Sequence, residues 1–169
     1  EVIIPLPYWV SYSEMVNFAG GKSVFIPAKF EDGFALDLEA MERSINDKTR
    51  VILFSSPSNP AGSSLSYDQL KQIADIVKRH PHVTVISDEI YEHINFDGEH
   101  TSISQFDGVK DQLIIVNGVS KGFAMTGWRI GYMVGPKEII AACDKLQGQF
   151  TSGANSIAQW AAVEAINGD

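Results

Sequence analysis

The sequence is poor in cysteine, in basic residues and in long apolar runs. Its single cysteine, Cys143, excludes an intramolecular disulfide and fits a reducing compartment. Thirteen Lys and Arg stand against 21 Asp and Glu, a net charge of −8. That balance argues against a nucleic-acid surface, which needs clustered cations to neutralise phosphates. It leaves room for a small anion, because a few local groups suffice to hold one. No apolar stretch approaches the roughly 20 residues that span a bilayer. Residues 1–9, EVIIPLPYW, show neither a basic lead nor a small-residue cleavage site, so no signal peptide is visible. Repeats, linkers and low-complexity tracts are missing too. Glu1 runs straight into Val2-Ile3-Ile4, and the last stretch, SIAQWAAVEAINGD, reads as a helix that runs out. Both ends read as those of a piece of a longer protein.

What is present is a foldable core: 44% hydrophobic and 20% charged residues over 169 positions, enough for one domain and too few for two large ones. Val2–Ile4 and Val24–Pro27 read as strands, with a Gly20-Gly21 turn before the second. Asp37 reads as a helix N-cap ahead of Leu38, Met41 and Ile45. The continuous apolar runs 51–54, 83–86 and 113–116 suit strands buried on both faces. Ser66 and Gln69 have capping-box spacing, and Leu70, Ile73, Ala74 and Val77 line one helix face up to His80-Pro81. A further short strand covers 130–134. Helices follow over 137–150 and about 155–166. Strands alternating with helices give an α/β class with a mostly parallel sheet flanked by helices.

Polar residues fall at telling places. Asn59 follows the first long apolar strand, inside the turn-rich Ser55–Gly62. Asp88 follows the second, and Lys121 the third. Ligands of open α/β sheets sit at the carboxyl ends of strands, so an amide, a carboxylate and an amine could converge on one small polar molecule. A lysine in the small-residue setting Gly118-Val119-Ser120-Lys121-Gly122 is less solvated than a surface lysine and better suited to nucleophilic chemistry. Arg129, between Gly127 and Gly131, offers a fork for a phosphate. Asp88 suits a protonated heteroaromatic nitrogen, Tyr91 lies one helical turn further on, and Trp9 could stack on a planar ring. Each has an ordinary explanation when taken alone: a loop lysine, a surface ion pair, a cap, a core aromatic.

Together they resemble a known pattern. Residues 118–131, GVSKGFAMTGWRIG, are similar to the lysine-attachment signature of class I aminotransferases of pyridoxal-phosphate fold type I. Ser55–Gly62 resembles that family's SPxNPTG loop, with Ala61 in place of the usual threonine. Ser87–Tyr91 resembles its SDEIY segment, and Pro7–Tyr12 its PYWxSY segment. The resemblance is to the bacterial aspartate aminotransferase subgroup and runs along the whole chain.

The resemblance implies transamination between an amino acid and a 2-oxo acid, of the aspartate/2-oxoglutarate type, by a cytoplasmic homodimer with pyridoxal 5'-phosphate as cofactor and no metal. It implies that Lys121 forms the internal aldimine and acts as proton carrier, and that Asp88 pairs with the pyridine nitrogen. Tyr91 and Asn59 bond the phenolic oxygen, Arg129 and Ser120 hold the phosphate, and Trp9 stacks on the ring. Trp9 and Asn59 also meet the substrate. It further implies that residues 1–169 are part of the large cofactor-binding domain, with an N-terminal arm and a C-terminal small domain lying outside the chain. An isolated chain of this extent is expected to be inactive.

Three other readings compete. A lyase, a synthase or a non-catalytic regulator domain could share the same fold and cofactor. A nucleotide hydrolase is suggested by the strand ending in Asp88-Glu89 and by Gly21-Lys22-Ser23, but the phosphate-loop motif needs glycine where Val16 stands. A metal hydrolase could draw on Asp88, Glu89 and His93 with His80, His82 or His100, though no helical zinc spacing is present.

Overall fold

The computed structural model describes residues 1–96 and 98–168. Six strands form one sheet: β1 (Val2–Pro5), β2 (Ser23–Ile26), β3 (Val51–Ser55), β4 (Thr84–Asp88), β5 (Leu113–Gly118) and β6 (Gly131–Val134). Their order is β2-β1-β3-β4-β5-β6, every neighbouring pair parallel except β5 with β6. The expected class, α/β with a mostly parallel sheet, is what the chain adopts.

Residues alternate across the sheet, so adjacent apolar side chains serve opposite faces. Ile3, Ile52, Phe54 and Val85 face one side and pack with Met41 of α2 (Leu38–Arg43) and with Leu70, Ile73 and Val77 of α3 (Tyr67–Arg79). Ile4 and Leu53 face the other and pack with Tyr12 and Val16 of α1 (Ser11–Phe18). The capping box of Ser66 and Gln69 closes in both directions, and Asp37 caps α2 by accepting from the Ala40 amide at 2.8 Å. Helices α4 (Lys137–Phe150) and α5 (Ser156–Asn167) follow β6. α5 buries Ala158 and Ala162 against Val119 and Ile130.

Several strand boundaries shift from expectation. β4 continues to Asp88 and β5 to Gly118, because ladder partners on neighbouring strands carry on that far: Asp88 lies opposite Ser55 and Val116, and Gly118 opposite Gly131. α1 is a helix that apolar patterning does not announce; Val10 at its start makes no side-chain cap bond.

The strand order reverses between β1 and β3. The chain leaves β1 across one face through α1 to β2, and leaves β3 across the other through α3 to β4. The crevice at the carboxyl ends of these strands is where such sheets take ligands. The expected site residues fall there: Trp9 after β1, Asn59 after β3, Asp88 at the end of β4, Lys121 after β5.

Candidate active site

Each segment at this crevice is held by its own backbone. The loop after β3 is folded back by Ser58 N–H to Ser63 O (2.8 Å) and Gly62 N–H to Ser58 O (2.8 Å). The Ser55 hydroxyl donates to Pro57 O at 2.7 Å, and Ser56 Oγ accepts from the Leu65 amide at 3.0 Å. Asn59 is thereby presented half-buried, its Nδ2 donating to the Tyr91 hydroxyl oxygen at 3.3 Å. That oxygen acts as acceptor, so the Tyr91 O–H remains a donor for a ligand.

Tyr91 does not lie on a helix, as its spacing from Asp88 suggests. The stretch after β4 is a run of turns, with Glu92 N–H to Glu89 O (2.9 Å) and Ile94 N–H to Tyr91 O (2.8 Å). The cause is that Glu89 still bonds the sheet: its amide donates to Val116 O at 2.9 Å, which keeps the backbone extended past Asp88.

Asp88 is half-buried. Its Oδ1 accepts from the Ile90 amide at 3.2 Å and its Oδ2 from the Tyr12 hydroxyl at 2.6 Å. Tyr12 thus touches a candidate site residue, a contact that the sequence does not announce. Burial, and then the negative charge of Asp88, push its hydroxyl far above the ordinary tyrosine range. No local signal marks it, because its partner lies 76 positions away in the sequence.

Lys121 opens a loop tied by Ala124 N–H to Lys121 O (3.1 Å) and Met125 N–H to Val119 O (3.4 Å). Its Nζ lies 6.0 Å from the Tyr91 ring centroid. Gly118 permits this arrangement. A Cβ there would meet Ile130 O at 2.8 Å and Gly131 Cα at 3.0 Å, so only glycine lets β5 and β6 close at this point. Val119 N–H to Ile130 O (3.4 Å) then sets Ser120 and Lys121 beside Arg129 at the same end of the sheet. Arg129 takes a left-handed backbone, φ 55°, and its Nη1 donates to Thr126 O at 2.9 Å. Such a conformation is costly for a residue with a side chain and clusters at ligand sites. Ser120 is half-buried, and Trp9 is exposed, its ring edge-on to Tyr12 at 5.5 Å.

The residues of the metal reading are not gathered around Asp88. Glu89, Glu92 and His100 bring ligand atoms within 4.8 Å of one another, but the buried Glu89 carboxylate is engaged by Ser87, Ser102 and His100, each at 3.0 Å. His93 packs on Phe123, and His80 and His82 pair with each other. The stretch after Ser23 is β2, not the helix a nucleotide phosphate loop requires.

This is an α/β protein whose strand ends assemble an amine, a carboxylate, a phenol, an amide and a guanidinium. Among the described residues neither Lys121 nor Arg129 forms an ion pair. A lysine over a tyrosine ring, an arginine before β6 and a hydrogen-bonded carboxylate are the donor types that a flat, phosphorylated, basic heterocycle calls for.

The comparisons agree. The sequence matches the family described as aminotransferase class I and II over residues 1–169, and the chain belongs to that family. It is 53% identical over 167 residues to a bifunctional aspartate aminotransferase and glutamate/aspartate-prephenate aminotransferase of Petunia hybrida, covering 98% of this chain and 35% of that protein. Aspartate aminotransferase from Rhizobium meliloti superposes with a TM-score of 0.95 at 46% identity, covering 99% of this chain and 42% of that one. Aspartate aminotransferase from Thermus thermophilus, solved with maleate, gives 0.93 at 43%, covering 98% and 43%. The chain thus spans well under half the length of the proteins it matches. The cofactor of the family is pyridoxal phosphate, and the donor set described above fits it.

Proposed function

We propose that this chain is the cofactor-holding part of the large domain of an enzyme that transfers an amino group between an amino acid and a 2-oxo acid, of the aspartate/2-oxoglutarate type. The observation that carries the proposal is the linked trio at the strand ends: Lys121 Nζ against the Tyr91 ring, and Tyr91 bonded to Asn59. When bound, pyridoxal phosphate supplies an electron sink for the pair left on the substrate's α-carbon.

The protein's own groups do the rest. Lys121 would hold the cofactor through Nζ and, once freed by the substrate's amine, would take the proton from the α-carbon and deliver it to the cofactor-side carbon, a 1,3-shift, rather than back to the α-carbon. Asp88 would accept a hydrogen bond from the ring nitrogen and keep it protonated. The Tyr91 O–H and the Asn59 amide would hold the phenolic oxygen, and Asn59 would also meet the substrate's α-carboxylate. Arg129, with the Ser120 hydroxyl, would bind the phosphate dianion by charge-assisted hydrogen bonds. Trp9 would stack on the ring and shield it from water.

Aspartate as amino donor is supported by the identity to the Petunia protein and by the dicarboxylate in the Thermus structure. We assign the full-length protein to the cytoplasm as a homodimer, with an arm and a small domain completing the site. Among the described residues no helix is long and apolar enough to cross a membrane.

The test is to assay the full-length protein with aspartate and 2-oxoglutarate, with and without added pyridoxal phosphate. Cofactor-dependent glutamate formation is expected. Ammonia and a keto acid in place of glutamate would contradict transamination.

A further inference from the structure

We propose that Tyr12 is a positioning residue that acts through Asp88: its hydroxyl holds the carboxylate in the orientation that receives the cofactor's ring N–H. The inference rests on the assignment of Asp88 to the ring nitrogen and adds a residue to which that assignment gives no role.

The geometry is one-sided. An aspartate carboxylate turns about two bonds, and nothing in the β4 ladder fixes its side chain. Two donors fix it here: the Ile90 amide on Oδ1 at 3.2 Å and the Tyr12 hydroxyl on Oδ2 at 2.6 Å. The first is a local contact, two residues along the chain. The second comes from 76 positions away in the sequence. Tyr12 is 4% exposed and packs with Ile4, Val16 and Leu53, a core cluster outside the site loops. The rigid face of the sheet therefore sets where Oδ2 sits.

The bond is also of fixed polarity. Burial and the neighbouring Asp88 charge hold the Tyr12 hydroxyl protonated through the neutral range. Tyr12 stays a donor and Asp88 an acceptor. Each carboxylate oxygen accepts one internal bond and keeps a lone pair for an outside donor. With Tyr12 as obligate donor, a proton shared between Asp88 and the ring nitrogen is favoured on the nitrogen.

Tyr12→Phe keeps the ring in the core and removes only the hydroxyl. The experiment uses the full-length enzyme loaded with pyridoxal phosphate labelled with ¹⁵N in the ring. At neutral pH the Tyr12→Phe nitrogen resonance is expected to move toward the unprotonated position. The dissociation constant of the cofactor should rise about tenfold, equivalent to about 1.4 kcal/mol. The kcat should fall with little change in KM for the amino donor, since Tyr12 touches Asp88 and not the substrate. In an Asp88→Asn background the same change should have no further effect on the nitrogen. A Tyr12→Phe resonance that superimposes on wild type, while Asp88→Asn alone displaces it, overturns the inference and leaves Asp88 in place. A nitrogen that stays protonated in Asp88→Asn overturns the assignment of Asp88 and the inference with it.

Discussion

Lys121 Nζ lies 6.0 Å from the centroid of the Tyr91 ring, so one tyrosine joins the lysine after β5 to the asparagine after β3. Because Asn59 donates to the Tyr91 oxygen, the phenolic proton is free for the cofactor. Tyr91→Phe removes that donor and leaves the ring beneath the lysine. The kcat/KM of the full-length enzyme is expected to fall by about tenfold, the effect of losing a hydrogen bond of about 1–1.5 kcal/mol. An unchanged value would mean that the Tyr91 hydroxyl faces no ligand.

Asp88→Asn keeps the shape of the side chain and removes its charge. Each tenfold loss of the ring nitrogen's proton affinity corresponds to about 1.4 kcal/mol, so kcat/KM is expected to fall by at least about tenfold. Attachment of the cofactor to Lys121 should persist, because Asp88 does not touch that bond. Near-normal turnover would remove Asp88 from the mechanism.

Gly122 abuts His93 directly. A Cβ on Gly122 would meet His93 Cβ and Cδ2 at 2.9 Å. Gly122→Ala is therefore expected to destabilise the full-length protein by about 1–3 kcal/mol, as overpacking does. In a His93→Gly background, which removes the Cβ as well as the ring, the cost of Gly122→Ala should be much smaller. Denaturant unfolding of the single and double variants checks it; an equal cost of Gly122→Ala in both backgrounds would contradict the contact.

Alkaline stability reports on Tyr12. Its folded pKa is raised by burial and by Asp88, so the unfolded chain ionises first, near pH 10. The contribution of this group is fully present below that pH and fades as pH rises further. The stability of wild type relative to Tyr12→Phe should be constant to about pH 9. Above about pH 10 it should decline by about 1.4 kcal/mol per pH unit. A difference that stays flat to pH 11 would show that Tyr12 ionises freely.

The sheet was largely legible from the sequence because its strands are buried on both faces and read as continuous apolar runs. α3 was legible from its capping box and from Leu70, Ile73, Ala74 and Val77, and α4 from Gly135-Pro136 before it. α1 was not. It is short, lacks a capping side chain, and buries only Tyr12 and Val16. The helical turn expected at Tyr91 was lost because Glu89 pairs with Val116, a contact set by tertiary structure. The same reason hides the Tyr12–Asp88 bond: no local pattern connects residues 76 apart. Lys121, Asp88 and Asn59 could be picked out because each follows an apolar run, and a parallel sheet brings such positions to one edge.

Borohydride reduction of the full-length enzyme with pyridoxal phosphate, followed by peptide mapping, tests the central claim most directly. The account predicts one reduced cofactor per chain, on the Nζ of Lys121, and none in Lys121→Ala. A stoichiometric label on any other lysine would contradict it.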